Sequence, residues 1–197
     1  MRLRSNPVPR IRLEDGPTAI RPSLPDDLDD LVALRIANRA HTGPWEPVRD
    51  ATFYTAAGQR LELDLDARAW ASGSAYPFSV LDAGDADRLI GRVALANVVR
   101  GAWQNATLGY WIDGTAGGRG HATRAVGLAL RFAFEQANLH RVQPAVIPRN
   151  TASLRVVERN GFRREGRAAR YLRINGVWED HDIFALTAEE WRDRNGR

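Results

Sequence analysis

The chain has 197 residues, enough for one domain with a real core, and its 44% hydrophobic and 26% charged residues are those of a globular protein. It contains no cysteine, which excludes disulfides and thiolate metal sites, and no lysine, so all 28 basic residues are arginines; the formal net charge is +4. The arginines are scattered, mostly beside Asp or Glu, so nucleic acid is not expected as the main partner. No apolar run approaches the roughly 20 residues of a membrane helix, and the charged start has no apolar core of a secretory signal, so no membrane is expected and the location is expected to be cytoplasmic.

In chain order, residues 1–16 read as a flexible lead-in, 17–191 as a single domain and 192–197 as a tail. Thr18 to Arg21 is a short strand candidate. Pro25-Asp26-Asp27 opens a helix whose early acids complement the dipole and which should end near Asn38. His41-Thr42-Gly43-Pro44-Trp45-Glu46-Pro47 reads as a loop stiffened by its two prolines. A second helix is predicted over Phe53 to Ser72, with Leu61, Leu65 and Trp70 among its apolar positions and Gly73 as its stop. Ala75 to Leu81, Arg88 to Val99 and Ala106 to Ile112 follow as an antiparallel meander. A glycine-rich turn and a helix over Thr123 to Ala137 come next, then a strand over Arg141 to Ile147. Reached through a helix, that strand should run parallel to Ala106–Ile112. Pro144 lies inside it and cannot donate to a ladder, so the two strands should part there and expose backbone groups to a ligand. Asn150 to Asn160 is a short helix closed by Gly161, and Phe162–Ile174 with Val177–Leu186 is a hairpin turned at Asn175-Gly176.

The sharpest feature is the order strand, glycine turn, helix around Gly117-Gly118-Arg119-Gly120-His121-Ala122-Thr123. Glycines let a backbone approach a phosphate, and a helix start offers free N–H groups and a positive dipole end. It is neither a Walker loop, lacking Lys-Ser or Lys-Thr, nor a dinucleotide fingerprint, lacking the third glycine. Arg119 could add charge to a phosphate contact. Asn150 reads equally well as the cap of its own helix, with Ser153 one turn on.

These residues resemble a known family. Strand, [Gln/Arg]-x-x-Gly-x-[Gly/Ala], helix is the acetyl-CoA signature of the GNAT N-acetyltransferases, matched by Gly117-Gly118-Arg119-Gly120-His121-Ala122 with Gly117 in place of the usual Gln or Arg. Leu108-Gly109-Tyr110-Trp111-Ile112, Pro148-Arg149-Asn150-Thr151-Ala152-Ser153, Asn160-Gly161-Phe162 and Tyr171 through His181 are similar to the RimJ/RimL-like branch, the ribosomal-protein-alanine N-acetyltransferases, as is Asn38-Arg39-Ala40-His41 with Pro44-Trp45-Glu46-Pro47. The resemblance implies an α/β (α+β) GNAT fold, a mixed and mostly antiparallel sheet splayed at a parallel pair and flanked by helices. It implies acetyl-CoA as cosubstrate, no metal, and direct attack of an amine on the thioester, which needs no enzyme nucleophile.

By the same resemblance the backbone of Tyr110, Trp111 and Ile112 binds the pantetheine arm. Gly118, Arg119, Gly120, His121, Ala122 and Thr123 bind the pyrophosphate, with Asn150 and Ser153 beside the cofactor. Ser153 would donate to the leaving thiolate. An N-terminal amine has a pKa near 8, so a modest base suffices. Glu46 is the first candidate, ahead of His41, Asp180 and His181. His41, Trp45, Tyr171 and Asp180 are expected on the acceptor side. The acceptor the branch implies is a protein N-terminal alanine of a ribosomal protein. A small-molecule amine or antibiotic is the alternative, as is a non-catalytic CoA-binding sensor, or an RNA-associated module built on Arg155 to Arg173. A monomer or homodimer is expected.

Overall fold

The computed structural model describes residues 9–196. Residues 1–8 of the expected lead-in and the last residue of the expected tail lie outside them. Eight strands form one sheet in the order β1-β2-β3-β4-β5-β6-β8-β7. They are β1 (Leu13–Asp15), β2 (Thr18–Pro22), β3 (Tyr76–Asp82), β4 (Arg88–Val99), β5 (Asn105–Ile112), β6 (Arg141–Val146), β7 (Arg163–Ile174) and β8 (Val177–Thr187). The helices are α1 (Leu28–Ala37), α2 (Arg39–Thr42), α3 (Ala56–Ser72), α4 (His121–Glu135), α5 (Thr151–Arg159) and α6 (Ala188–Arg194).

Every neighbouring pair of strands is antiparallel except β5 and β6. Their parallel pairing covers only Asn105–Leu108 against Arg141–Pro144. The ladder stops at the residue that has no N–H to give, as the position of Pro144 leads one to expect. β4 stays paired with β5 up to Ile112, and β6 continues against β8 at Ala145 and Val146. The sheet is therefore split between Gly109–Ile112 and the end of β6.

Alternate residues of the strands feed two cores. Ile20, Val80 and Ile90 join the cluster under α4, which includes Val126, Ala129 and Phe132. Their sequence neighbours Ala19, Leu81 and Leu89 meet Leu28, Leu31 and Leu63 of α1 and α3 on the other face. The N-terminal end of α4 lies beside the split.

The structure departs from the sequence expectations at five places. Leu13–Asp15, inside the expected lead-in, pairs with β2. The expected loop at His41–Trp45 is helical, first α2 and then a 3-10 turn over Gly43–Trp45. α3 buries Gln59, Leu63 and Trp70 and leaves Leu61 and Leu65 57% and 47% exposed, because those two lie on the far side of the helix from the buried stripe. The helix after the glycine turn begins at His121, not Thr123. The chain past Leu186 continues as α6, whose Thr187–Glu190 capping box is written in the sequence. The hairpin turn is as expected, with Asn175 and Gly176 both at positive φ (45° and 84°).

Asp182 of β8 holds β7 in register. Arg167 donates to both of its oxygens (2.9 and 3.0 Å) and Arg164 adds a third bond at 2.6 Å. The Arg167 bonds, with Arg164 assisting, outweigh burial and hold its carboxyl at about 2. An unfolded Asp titrates near 3.9. The folded pKa is the lower one, so this contribution is complete above about pH 4 and is lost as pH falls towards 2. Thermal melts should show a steep loss of stability across that window. Asp182→Asn should flatten the slope there, and an unchanged slope would remove Asp182 from the acid sensitivity.

Candidate active site

The split opens into a cavity of about 480 Å³. Tyr110, Trp111 and Ile112 line it from β5, Gly117, Gly118 and Gly120 to Thr123 from the turn and α4, and Asn150, Ala152 and Ser153 from α5. Gly118 and Gly120 have φ of +75° and +83°, conformations that a side chain rarely adopts. Gly120 is the N-cap of α4, with no side-chain cap and no acid in the first turn. The first N–H groups of α4 have no intrahelical partner and the dipole end is uncompensated, which suits an anionic phosphate group.

Two side chains of the turn have their polar atoms engaged within the protein. Arg119 donates to the Thr115 carbonyl at 3.0 Å and is not part of the lining. In this structure its guanidinium is held by the turn's own backbone. His121 is only 2% exposed; its Nδ1 lies 2.9 Å from Thr18 Oγ1 and its Nε2 3.6 Å from Asp82 Oδ2. Burial keeps this imidazole below its ordinary pKa, against the pull of Asp82.

Asn150 caps α5, its side-chain oxygen accepting from the Ser153 N–H at 3.1 Å. It lines the cavity as well, so the capping and binding readings coexist. Ser153 Oγ lies 2.7 Å from the Tyr110 hydroxyl, which is also 3.2 Å from the Ser153 carbonyl oxygen. Burial pushes the Tyr110 phenol up to about 12, against the Ser153 hydrogen bond. It therefore stays protonated at neutral pH. The sequence placed Tyr110 here for its backbone; that its hydroxyl meets Ser153 was not foreseen, since β5 and α5 are joined only by the fold.

A second cavity of about 710 Å³ adjoins the first. The two share Trp45, Glu46, Tyr110 and Trp111 as common wall. Glu46 Oε1 accepts from Arg35 Nη1 at 2.9 Å. The Arg35 side chain, 8% exposed, stacks over the Trp111 ring at 4.1 Å and lies 5.1 Å from the Phe53 ring. Burial lowers the Arg35 pKa, with Glu46 opposing. A second pair, Asp66 with Arg92, also lines this cavity, and burial raises the Asp66 carboxyl despite its partner. Neither Arg35 nor Asp66 was picked out from the sequence.

The remaining expected residues divide. Trp45 lies below the Arg149 guanidinium (5.4 Å), and Tyr171 lines the larger cavity with its ring 5.6 Å from that of His181. His181 is buried, its Nδ1 donating to the Glu179 carbonyl at 3.0 Å. His41 lines the smaller cavity rather than the larger. Asp180 lines neither; its carboxylate accepts from the Arg170 N–H at 2.9 Å, where the strand bulges and Arg170 takes a φ of +47°. The bulge turns this carboxylate to a structural task. Among the described residues no three His, Asp or Glu side chains gather as a metal-ligating group, and no helix is long and apolar enough to cross a membrane.

The family model for the acetyltransferase (GNAT) domain matches residues 18–163, from β2 through the split and the glycine turn to the start of β7. The chain belongs to the GNAT acetyltransferase family. Its relatives include the Bacillus subtilis protein named "Probable N-acetyltransferase YjcK", 38% identical over 85% of this chain and 92% of its own. The Escherichia coli [ribosomal protein uS5]-alanine N-acetyltransferase is 35% identical over 95% of this chain and 96% of its own. The solved structure of Mycobacterium smegmatis RimJ in complex with CoA-disulfide superposes with a TM-score of 0.84 at 30% identity, covering 91% of this chain and 90% of that one. This GNAT enzyme is an N-acetyltransferase with acetyl-CoA as cosubstrate, as the family resemblance implied. The uncapped α4, the two left-handed glycines and the open edge of β5 are the features of this GNAT chain that fit that cosubstrate.

Proposed function

We propose that the enzyme acetylates the N-terminal alanine of a ribosomal protein by direct attack of the amine on the thioester. The observation that carries this reading is the common wall of the two cavities. It sets a carboxylate, Glu46, and the Tyr110 hydroxyl at the junction of the two cavities, with Ser153 bonded to that hydroxyl from the smaller one. The name of the Escherichia coli relative, a ribosomal-protein-alanine N-acetyltransferase, supports the acceptor. Acetyl-CoA supplies the activated acetyl group and its thiolate leaves. The split edge of β5 and the first turn of α4 hold the cosubstrate through main-chain N–H groups.

Glu46 takes the proton of the acceptor ammonium, directly or through one water. A free N-terminal amine, with pKa near 8, is mostly protonated at neutral pH, so this step is required. Ser153 hydrogen-bonds the leaving sulfur and relays to it the second proton that the attacking nitrogen sheds as the amide forms, so the serine ends the step protonated; the Tyr110 hydroxyl, protonated throughout the working range, lies within hydrogen-bond reach of Ser153 Oγ. Trp45 and Tyr171 wall the acceptor space. A ribosomal-protein acceptor places this work in the cytoplasm.

The test is CoA-thiol release with an alanine-initiated peptide beside a panel of polyamines, amino acids and aminoglycosides. The peptide should give the highest kcat/KM; a small amine in that place would move the reading to small-molecule acetylation, and no turnover with any would leave a CoA-binding sensor. Ser153→Ala should lower kcat about 10- to 100-fold with the acetyl-CoA KM nearly unchanged. Full turnover by that variant would remove the proton-donor role.

A further inference from the structure

The turn that meets the cosubstrate has three glycines in the four residues from Gly117 to Gly120. Glycine loses more freedom on ordering than any other residue. Such a turn presents its N–H groups in one direction only if both of its ends are fixed. Its entrance is fixed: Asp113 accepts from the Thr115 N–H at 3.2 Å and its hydroxyl at 2.7 Å, and Asn38 Oδ1 accepts from the Gly114 N–H at 2.9 Å. Its exit is His121, the first residue of α4.

We propose that His121 is a positioning residue for the cosubstrate, a buried strut that fixes the first turn of α4 on the sheet and so aims its N–H groups into the cavity. The ring crosses the space between helix and sheet and meets two strands at once. Thr18 of β2 and Asp82 of β3 are register partners. With the Nε2 proton directed at Asp82, Nδ1 accepts the Thr18 hydroxyl at 2.9 Å. Exposures of 2%, 0% and 6% for His121, Thr18 and Asp82 make these contacts dry. An apolar side chain would fill the same volume without burying a polar ring beside a carboxylate. A hydroxyl and a carboxylate matched to a ring fix a rotation that apolar packing leaves loose. Arg124 restrains the other side of the turn by donating to the Arg119 carbonyl at 2.9 Å. The ordering of the turn is then completed on folding, and binding the cosubstrate does not have to supply it. Both ring nitrogens are taken up by Thr18 and Asp82, so the effect belongs in the affinity for acetyl-CoA and not in the chemical step.

His121→Phe fills the volume without either polar contact, His121→Asn keeps an acceptor on the Nδ1 side, and Thr18→Val removes only the hydroxyl. His121→Phe should raise the acetyl-CoA KM, and the Kd of CoA by calorimetry, about tenfold while kcat stays within about twofold. Thr18→Val should raise KM about threefold, and the double variant should be no worse than His121→Phe alone, since the contact that Thr18→Val removes is already lost in His121→Phe. His121→Asn should recover most of the affinity. The proposal is overturned by a folded His121→Phe with unchanged KM, by kcat falling in step with KM unmoved, or by strictly additive effects of the two sites. Should His121→Phe not fold, Thr18→Val decides: an unchanged KM in that variant overturns it equally.

Discussion

Gly120→Val should raise the acetyl-CoA KM roughly 100-fold, with a small loss of thermal stability. Gly120 has a φ of +83°, which a β-branched residue adopts only at a cost of about 1–3 kcal/mol. A Cβ there would also lie 2.8 Å from Arg124 Nη1. That atom is the end of a flexible side chain and can move, but it then gives up its bond to the Arg119 carbonyl. The turn has a less strained alternative, which is to leave the left-handed conformation and point its N–H groups elsewhere. The strain then appears as lost affinity, about 2.7 kcal/mol for two factors of ten. The measurement is steady-state kinetics with the acetyl-CoA KM separated from kcat, beside a melt. An unchanged KM in a folded Gly120→Val protein would remove this turn from cosubstrate binding.

Glu46→Ala should lower kcat at least about 100-fold and destabilise the protein by about 3–5 kcal/mol. The second effect follows from its partner. Arg35 is 8% exposed at its side chain, with its charge answered by Glu46. Removing one member of a buried ion pair leaves the other uncompensated, although stacking on Trp111 softens the loss. At about 2–4 °C per kcal/mol for a chain of this size, the melting temperature should fall by about 10 °C. Two further variants separate stability from chemistry. Glu46→Gln still accepts the Arg35 hydrogen bond and should keep most of the stability while losing the rate. Glu46→Ala combined with Arg35→Met should regain stability and remain inactive. A Glu46→Gln enzyme with full kcat and an unchanged pH–rate profile would show that another group, His181 foremost, accepts the proton.

Much of the frame could be read locally. Asn175-Gly176 dictates a turn with two positive φ values, and it turns the hairpin where expected. The proline inside β6 marks the point where the parallel ladder stops, because a residue without an N–H cannot extend it. The glycines at 118 and 120 mark left-handed positions before a helix. Leu61 and Leu65 misled for a complementary reason. Apolar character on a helix says nothing of which stripe meets the sheet, and α3 turns Gln59, Leu63 and Trp70 inward instead. The Thr187–Glu190 capping box was legible and shows that short terminal helices need no long apolar pattern.

The amino-acid order by itself determined that a glycine turn bound to a helix start would follow a strand, and that a proline would end the next strand's pairing with it. Both are decided within a few residues, by allowed φ values and by a missing donor. Only the tertiary structure decided that Tyr110 meets Ser153, that Arg35 holds Glu46, that His121 reaches Thr18 and Asp82, and that Asp180 braces a bulge and lies apart from both cavities. Those partners are 43, 11, 103 and 10 residues apart in the chain for the first bond of each, a separation at which local propensity carries no information. What joins them is the crossing of strands and helices through a packed core, and that crossing exists only once the sheet has formed.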